Sequence, residues 1–468
     1  MTVMPEQPNV LVVGAGFAGL AAALELNRRG VRTTVCEKQP TAGGLSQTIT
    51  MDEVKFELGP HIYFDKDPDV RAFWHSLPGV RMLRHERRSR LLYNGRFIKS
   101  PLRTSDVLVK LGPIIVFRII WSYLKRHRID RQINSAEDWV RANFGDELFL
   151  RFFKVYNEKI WGLPCSAIEA EWAGQRIKSS LVSMVVKSLQ RDKDSVVKSF
   201  EFPQGGSESV YQAQCAILEN SPLTDLWFGD EPTQIKCLPT GFEVSFRRQT
   251  QKSRFSHIVW TGHPDALFAI MDDGGRTDFA ELKRRSSELQ YRNLVYLCFT
   301  VKREFIRNLC EHWVDVHDRS TGALRVTNFS NYNYAKSSET VGIGIEYNCW
   351  ESDEIWMLSD DNLKNLGLND LKTMDLIAAN SYIQNFTVVR VARAYPVYSK
   401  GYADHLSVIR DSMQKFPEVQ LTGRNGLFKW NNMHHSVKTG FLAARNLLGE
   451  HHDLSSVRGM VSFGKDSD

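Results

Sequence analysis

With 468 residues, 42% of them hydrophobic and 24% charged, the chain is too long for one ordinary core and too apolar for a disordered protein, so two or three domains are expected. A net charge of +6 is mild over this length; it suits an anionic ligand and lacks the dense basic stripes of a nucleic-acid binder, so no nucleic-acid partner is expected. Seven scattered cysteines without C-x-x-C spacing, and no signal-peptide pattern at the start, point to a reducing, cytoplasmic setting with neither a disulfide framework nor a metal site.

Asn9–Val13 (NVLVV) is a short apolar run of the kind that forms a strand buried in a parallel sheet. Gly14-Ala-Gly16-Phe-Ala-Gly19 follows, then a helical pattern through about Arg29 that Gly30 ends. Arg32–Glu37 (RTTVCE) is the next strand. Gly14 permits the tight turn, Gly16 lets backbone approach a pyrophosphate, and Gly19 allows the helix to pack closely on the strand. The helix N-terminus offers N–H groups to phosphates, and Glu37 ends its strand where a carboxylate can accept from ribose hydroxyls. A lone G-x-G-x-x-G is a weak signal. Here the strand, turn, helix, second strand and terminal acid are all in place, so a dinucleotide is the expected ligand.

From about Pro101 to Ser199 the sequence reads mostly helical, with Ser135 a plausible N-cap ahead of Glu137 and Asp138. Within it, Val107–Leu124 approaches the length of a membrane span and is followed by the basic Lys125–Arg128. Lys110, Gly112–Pro113 and Arg118 interrupt it. A buried helix pair is expected, with a membrane-surface or lipophilic-substrate patch as the alternative. Short β runs follow at Gly241–Phe246 and His257–Gly262 around a polar turn at Gln249–Arg254. Tyr291–Val301, Leu324–Phe329 and Val341–Tyr347 read as strands of a further sheet, and Val419–Thr422 as a last strand before a helix from about His435 to Leu448.

Gly43-Gly44-Leu-Ser-Gln-Thr48, shortly after Glu37, lets backbone approach a bulky extended cofactor and favours FAD. This arrangement resembles the flavoprotein superfamily of amine oxidases, protoporphyrinogen oxidases and UDP-galactopyranose mutases. Its chains return to the flavin domain at a Pro/Gly signal, as Phe202-Pro-Gln-Gly205-Gly206 does. The resemblance implies an α/β fold: a discontinuous Rossmann-like FAD-binding domain (1–100, 201–275 and 391–468), a helical insertion (101–200) and a β-sheet substrate domain (276–390).

Further motifs look like the mutase branch, from roughly Asn9 to Leu448. Gly59-Pro60-His61-Ile62 resembles the segment beside the isoalloxazine, and Tyr156-x-x-Lys159-x-Trp161-Gly162 resembles a motif whose Tyr stacks on uracil and whose Trp lines the sugar pocket. Phe152 matches a second stacking aromatic, on the same helix face by i,i+4 spacing. Arg176, and Arg292 within Leu289-Gln-Tyr291-Arg292, match active-site arginines, the latter at the diphosphate; Tyr395-Pro396 matches a segment with a substrate tyrosine. Gly423-Arg424-Asn-Gly426 opens the C-terminal flavin motif, which continues through Trp430, Asn431, Asn432 and Met433. The implied catalytic residues are His61, Arg176 and Arg292.

By this resemblance the chain is a nucleotide-sugar mutase that interconverts pyranose and furanose through a flavin N5–sugar adduct, or a close relative acting on a sugar-like substrate. An electron donor would reduce the flavin. Arginines suit a diphosphate leaving group, and stacking aromatics suit a base and a sugar. The chain departs from the mutase pattern at Phe64, where a second His is usual, at Trp430 and Asn432, in place of Tyr and Asp, and at Arg103, in place of Asn. These changes point away from UDP-galactose itself. Two other readings of the same fold stay open: an FAD-dependent oxidoreductase (an amine or alcohol oxidase, or a desaturase of the protoporphyrinogen-oxidase type), and a non-catalytic binding module.

Overall fold

The computed structural model describes residues 8–63, 67–100, 104–126, 132–176, 199–272, 274–275, 279–332 and 339–457; Phe64 and Arg103 lie outside them. Asn9–Val13 pairs in parallel on both sides, with Arg32–Glu37 and with His257–Trp260. Thr224–Phe228 and Val419–Leu421 extend these strands into a five-stranded, all-parallel sheet assembled from three separate stretches of the chain. Such a sheet needs cover on both faces. The helix Phe17–Arg28 is buried along most of its length, packed against Ser207–Glu219 and Met433–Leu447. Small residues allow this: a Cβ at Gly440 would come within 2.2 Å of the Ala18 carbonyl oxygen.

A second sheet has seven strands in the order Asn385–Pro396, Tyr291–Lys302, Thr340–Cys349, Arg325–Asn328, Trp313–Val316, Ser89–Tyr93 and Arg96–Ser100. Its neighbours run antiparallel except where Trp313–Val316 lies parallel to Ser89–Tyr93. Two boundaries expected from the sequence are thereby corrected. Ser89–Ser100 falls within the segment expected to belong to the FAD-binding domain, yet it forms the edge of this other sheet; the strand Asn385–Pro396 runs across the expected break at 390. Alternation marks a strand but carries no record of its partner. The polar turn at 249–254 is also shorter than expected, because Ser253–Phe255 pairs with Gly241–Phe246.

The helical segment contains Thr104–Leu111, Pro113–Lys125, Ala136–Phe144, Lys154–Trp161 and Ala170–Arg176, with one wide turn at Phe149–Phe153. Ser135 caps its helix as expected, its Oγ accepting from the Asp138 N–H at 3.2 Å. The pair at 104–125 is not the buried one expected. Leu111, Ile119 and Tyr123 point inward, while Val109, Ile114, Phe117, Trp121 and Leu124 are exposed. No helix among the described residues is long and apolar enough to cross a membrane.

Candidate active site

A cavity of about 1700 Å³ runs from the carboxyl ends of the parallel strands to the face of the seven-stranded sheet. That first position is where open α/β sheets bind dinucleotides. Gly14 has φ +102°, and its N–H donates to the Cys36 carbonyl at 2.8 Å, which folds the turn tightly over the second strand. The Glu37 carboxylate receives two backbone N–H groups, from Ala15 and Gln39, each at 2.8 Å, which fixes it at the cavity wall. Gly16, Gly43 and Gly44 line the same wall; the two glycine turns meet there, and a Cβ on Gly44 would lie 3.3 Å from the Gly16 Cα. Gly19 stands back from the cavity, within the helix Phe17–Arg28, and packs against the Gly14 carbonyl.

The C-terminal motif closes the opposite wall. Arg424 donates from Nε and Nη2 to the Asn431 carbonyl (3.1 and 2.8 Å) and lies over the Tyr395 ring at 5.1 Å. The helix begins at Met433, two residues before the expected start, so its N-terminus reaches the cavity with Asn432, Met433 and Ser436. His435 serves there as a cap, its Nδ1 accepting from the Asn432 N–H at 3.1 Å. Asn431 is 1% exposed, lines the cavity and has neither a donor for its amide oxygen nor an acceptor for its amide nitrogen among the described residues. A buried amide left so is costly, and a polar edge such as a flavin's satisfies it. The residues therefore fit FAD.

Beyond this wall Gly59, Pro60 and His61 approach the seven-stranded sheet, with a Cβ position on Gly59 only 3.4 Å from Glu346 Oε1. His61 Nδ1 lies 3.2 Å from Glu57 Oε2, and Glu57 Oε1 accepts from Thr48 Oγ1 and from the Ser207 N–H that starts a helix. Sheet register then sets a row of charges. Asp315 pairs with Arg325 and Arg325 with Glu346 on adjacent strands, which places the three side chains abreast on one face. Arg325 donates to Asp315 Oδ1 at 2.8 Å, to Glu346 Oε1 at 3.2 Å and to the Tyr156 hydroxyl at 3.1 Å, and that hydroxyl donates to Asp315 at 3.1 Å. Trp313 Nε1 adds a donor to Asp315 at 3.2 Å.

Burial pushes the Asp315 carboxyl up, but Arg325 and the hydrogen bonds it receives outweigh this and hold it below the usual range. Glu346 goes the other way: burial, with Asp315 nearby, raises it despite Arg325. One carboxyl of the row thus holds its charge and the other is biased toward its proton. His317 stacks on Tyr156 at 4.3 Å and 6°, donates from Nδ1 to the Phe152 carbonyl at 2.8 Å, and is shifted down by burial, so it stays neutral. Burial also lowers Arg87, which lies over Trp313 and is repelled by Arg325.

Of the residues expected at the substrate, Phe152, Tyr156, Tyr395 and Trp430 line the cavity. The wide turn at 149–153 brings Phe153 to it as well. Tyr156 has one ring face covered by His317. Trp161 does not reach the cavity: it is fully buried behind Trp430, with ring centroids 5.1 Å apart, and packs on Trp172 and Tyr398. Arg292 is also displaced from its expected place. It is wedged over Gly162 and Trp350, donates to the Asn348 carbonyl at 2.6 Å and pairs with Asp353 at 3.5 Å, so it braces the fold and does not line the cavity. Arg176 closes the helix Ala170–Arg176; its side chain lies outside the described residues. Sequence reasoning missed Arg87, Asp315, His317, Arg325 and Glu346. Glu346 alone carried a signal, as the single acid within the apolar strand TVGIGIEYNC.

The strand ends, the paired glycine turns and the orphaned amide together define a dinucleotide-binding flavoprotein. The family pattern of flavin-containing amine oxidoreductases matches residues 17–448, and the chain belongs to that family. It is accordingly a flavin-dependent enzyme with FAD as its cofactor. A crystal structure of reduced UDP-galactopyranose mutase superposes with a TM-score of 0.83 at 20% identity, over 96% of this chain and 97% of that one. The mitochondrial protoporphyrinogen oxidase of Nicotiana tabacum is 26% identical over 30% of this chain and 30% of its own length. The probable UDP-galactopyranose mutase of Klebsiella pneumoniae is 26% identical over 35% of this chain and 43% of its own length. Both of these sequence matches span less than half of the relative.

Proposed function

We propose that this flavoenzyme acts on a sugar-like, hydroxyl-rich substrate, and that its reaction is an isomerisation of the nucleotide-sugar mutase kind. The observation that carries this reading is the row Asp315–Arg325–Glu346 with the Tyr156 hydroxyl, lining the cavity beside Gly59 and His61. A sugar hydroxyl both donates and accepts. Asp315 accepts, Arg325 and the Tyr156 hydroxyl donate, and Glu346, biased toward its proton, lies beside them where the strand register fixes it. Arg87 and Arg325 stand against the carboxyls of Asp315 and Glu346, and burial biases Glu346 toward its neutral form. That balance suits a neutral or anionic substrate better than a protonated amine.

Bound FAD supplies the electron-rich ring that such an isomerisation needs. The chain's residues position the sugar. Tyr395 and Trp430 offer apolar ring surface between the row and the flavin wall, with Trp430 anchored by its Nε1–H to the Pro396 carbonyl at 2.9 Å. The N-terminus of the helix Met433–Leu447 favours negative charge at the flavin wall.

A second reading, net oxidation of a substrate with a large apolar portion, draws on the other arm of the cavity. Val116, Ile119, Phe144, Leu148, Phe153 and Ile160 give it an apolar lining.

Titration of the yellow holoenzyme with UDP, GDP and dTDP, oxidised and dithionite-reduced, tests the proposal. One nucleotide is expected to bind in the micromolar range, and Arg87→Met to weaken it at least tenfold, while Arg292→Met leaves binding intact and lowers stability. If no nucleotide or nucleotide sugar binds in either state, and apolar alcohols or amines bleach the flavin anaerobically, the oxidoreductase reading replaces it.

A further inference from the structure

The helix Pro113–Lys125 is apolar on two opposite sides. At 100° per residue, Val116, Ile119 and Tyr123 fall on one side and line the cavity, while Ile114, Phe117, Trp121 and Leu124 fall within a single arc on the other. That outer arc is uncovered: Ile114 is 76% exposed, Phe117 64%, Trp121 51% and Leu124 62%. Val109, 81% exposed, extends it from the preceding helix Thr104–Leu111. Phe117 and Trp121 stack with centroids 6.3 Å apart, which makes a continuous aromatic plate. Ile120 sits between the two sides; it is half exposed and also lines the cavity, so the outer face and the cavity's apolar arm join there.

The charges carried by this segment itself have one sign. No Asp or Glu occurs between Val107 and Lys125, whereas Lys110, Arg118 and Lys125 do. Arg118 and Lys125 lie at one margin of the apolar arc; Arg118 pairs with Glu147 at 2.7 Å, and the Lys125 ammonium lies over the Trp121 ring at 4.6 Å. An exposed apolar arc carrying Trp and Phe, edged by lysines and borne on a helix too short to span a bilayer, has the chemistry of an in-plane interfacial helix.

We propose that the outer face of residues 109–125 docks on the surface of an anionic lipid bilayer, with the helix lying in the plane of the interface and the apolar arm of the cavity opening toward it at Ile120. The docking is independent of which reaction the flavin performs, since Val109, Ile114, Phe117, Trp121 and Leu124 do not line the cavity.

Flotation of the holoenzyme with vesicles tests this. Binding is expected to vesicles of phosphatidylcholine containing one-third phosphatidylglycerol, weaker binding to phosphatidylcholine alone, and partial release by salt. The double variant Phe117→Ser/Trp121→Ser is expected to lose at least tenfold in partition on both vesicle types while keeping its flavin spectrum. Lys110→Gln/Lys125→Gln is expected to lose about fivefold per charge on the anionic vesicles only. Three results would overturn the proposal: wild-type protein that floats with neither vesicle, serine variants that float as well as wild type, or a wild-type dimer that Phe117→Ser/Trp121→Ser converts to monomer, which would make a second copy the occupant of this face.

Discussion

Arg325→Met is expected to destabilise the protein by about 3–5 kcal/mol at neutral pH, because it leaves Asp315 charged and buried without its cation. Arg325 and Asp315 retain 22% and 17% exposure, on the cavity side, and Glu346 only 2%. Water reaches the pair from the cavity side only. The pH dependence follows from the direction of the Asp315 shift. In the wild type its folded-state pKa is depressed, so its contribution is present above the unfolded value, about 3.9, and is lost as pH falls through the folded one. In the variant, burial without the cation raises that pKa, and the penalty is relieved as acid protonates the carboxyl. The gap between wild type and variant should be widest near pH 7 and narrow toward pH 4. Guanidinium unfolding at several pH values, followed by far-ultraviolet circular dichroism, measures it. Arg325→Met with Asp315→Leu and Glu346→Leu should recover much of the loss, since an apolar row of similar volume removes the orphaned charges. A single variant within about 1 kcal/mol of wild type would mean that the row is solvated and not a buried network.

The second large effect separates two glycines three residues apart. A Cβ at Gly16 would meet only the Gly44 Cα, at 3.9 Å, whereas a Cβ at Gly19 would come within 1.9 Å of the Gly14 carbonyl oxygen. Gly16→Ala is therefore expected to fold with near-normal stability yet purify with little flavin, at least tenfold weaker in FAD affinity, because its methyl occupies space the pyrophosphate needs. Gly19→Ala is expected to disturb the helix–strand contact itself, with a loss of about 2 kcal/mol or more in the apoprotein, as overpacking against rigid backbone costs. Absorbance at the flavin band and apoprotein unfolding distinguish the two. Equal loss of stability in both variants would show that Gly16 also serves packing.

The glycine motif and Glu37 were legible because one short stretch of chain supplies the whole device: each residue needs only neighbours within the same strand, turn and helix. The same locality made the N-cap at Ser135 readable and brought Phe152 and Tyr156 to one cavity. Locality also explains the failures. Trp161 and Arg292 sit in recognisable motifs, but their direction depends on what packs against them, namely Trp172 and Tyr398 in one case and Trp350 and Asp353 in the other.

By itself the sequence determined an α/β flavoprotein and its cofactor, since strand, turn and glycine spacing are local and FAD answers to backbone geometry. Only the tertiary structure decided which charges line the cavity. Asp315, Arg325 and Glu346 are ten and twenty-one residues apart in sequence, and they become one network because the register of three strands sets them side by side. The structure likewise decided that the face of 109–125 is open. An apolar helix reads alike whether its outer side meets a core or solvent, and the difference lies in the elements that do or do not cover it.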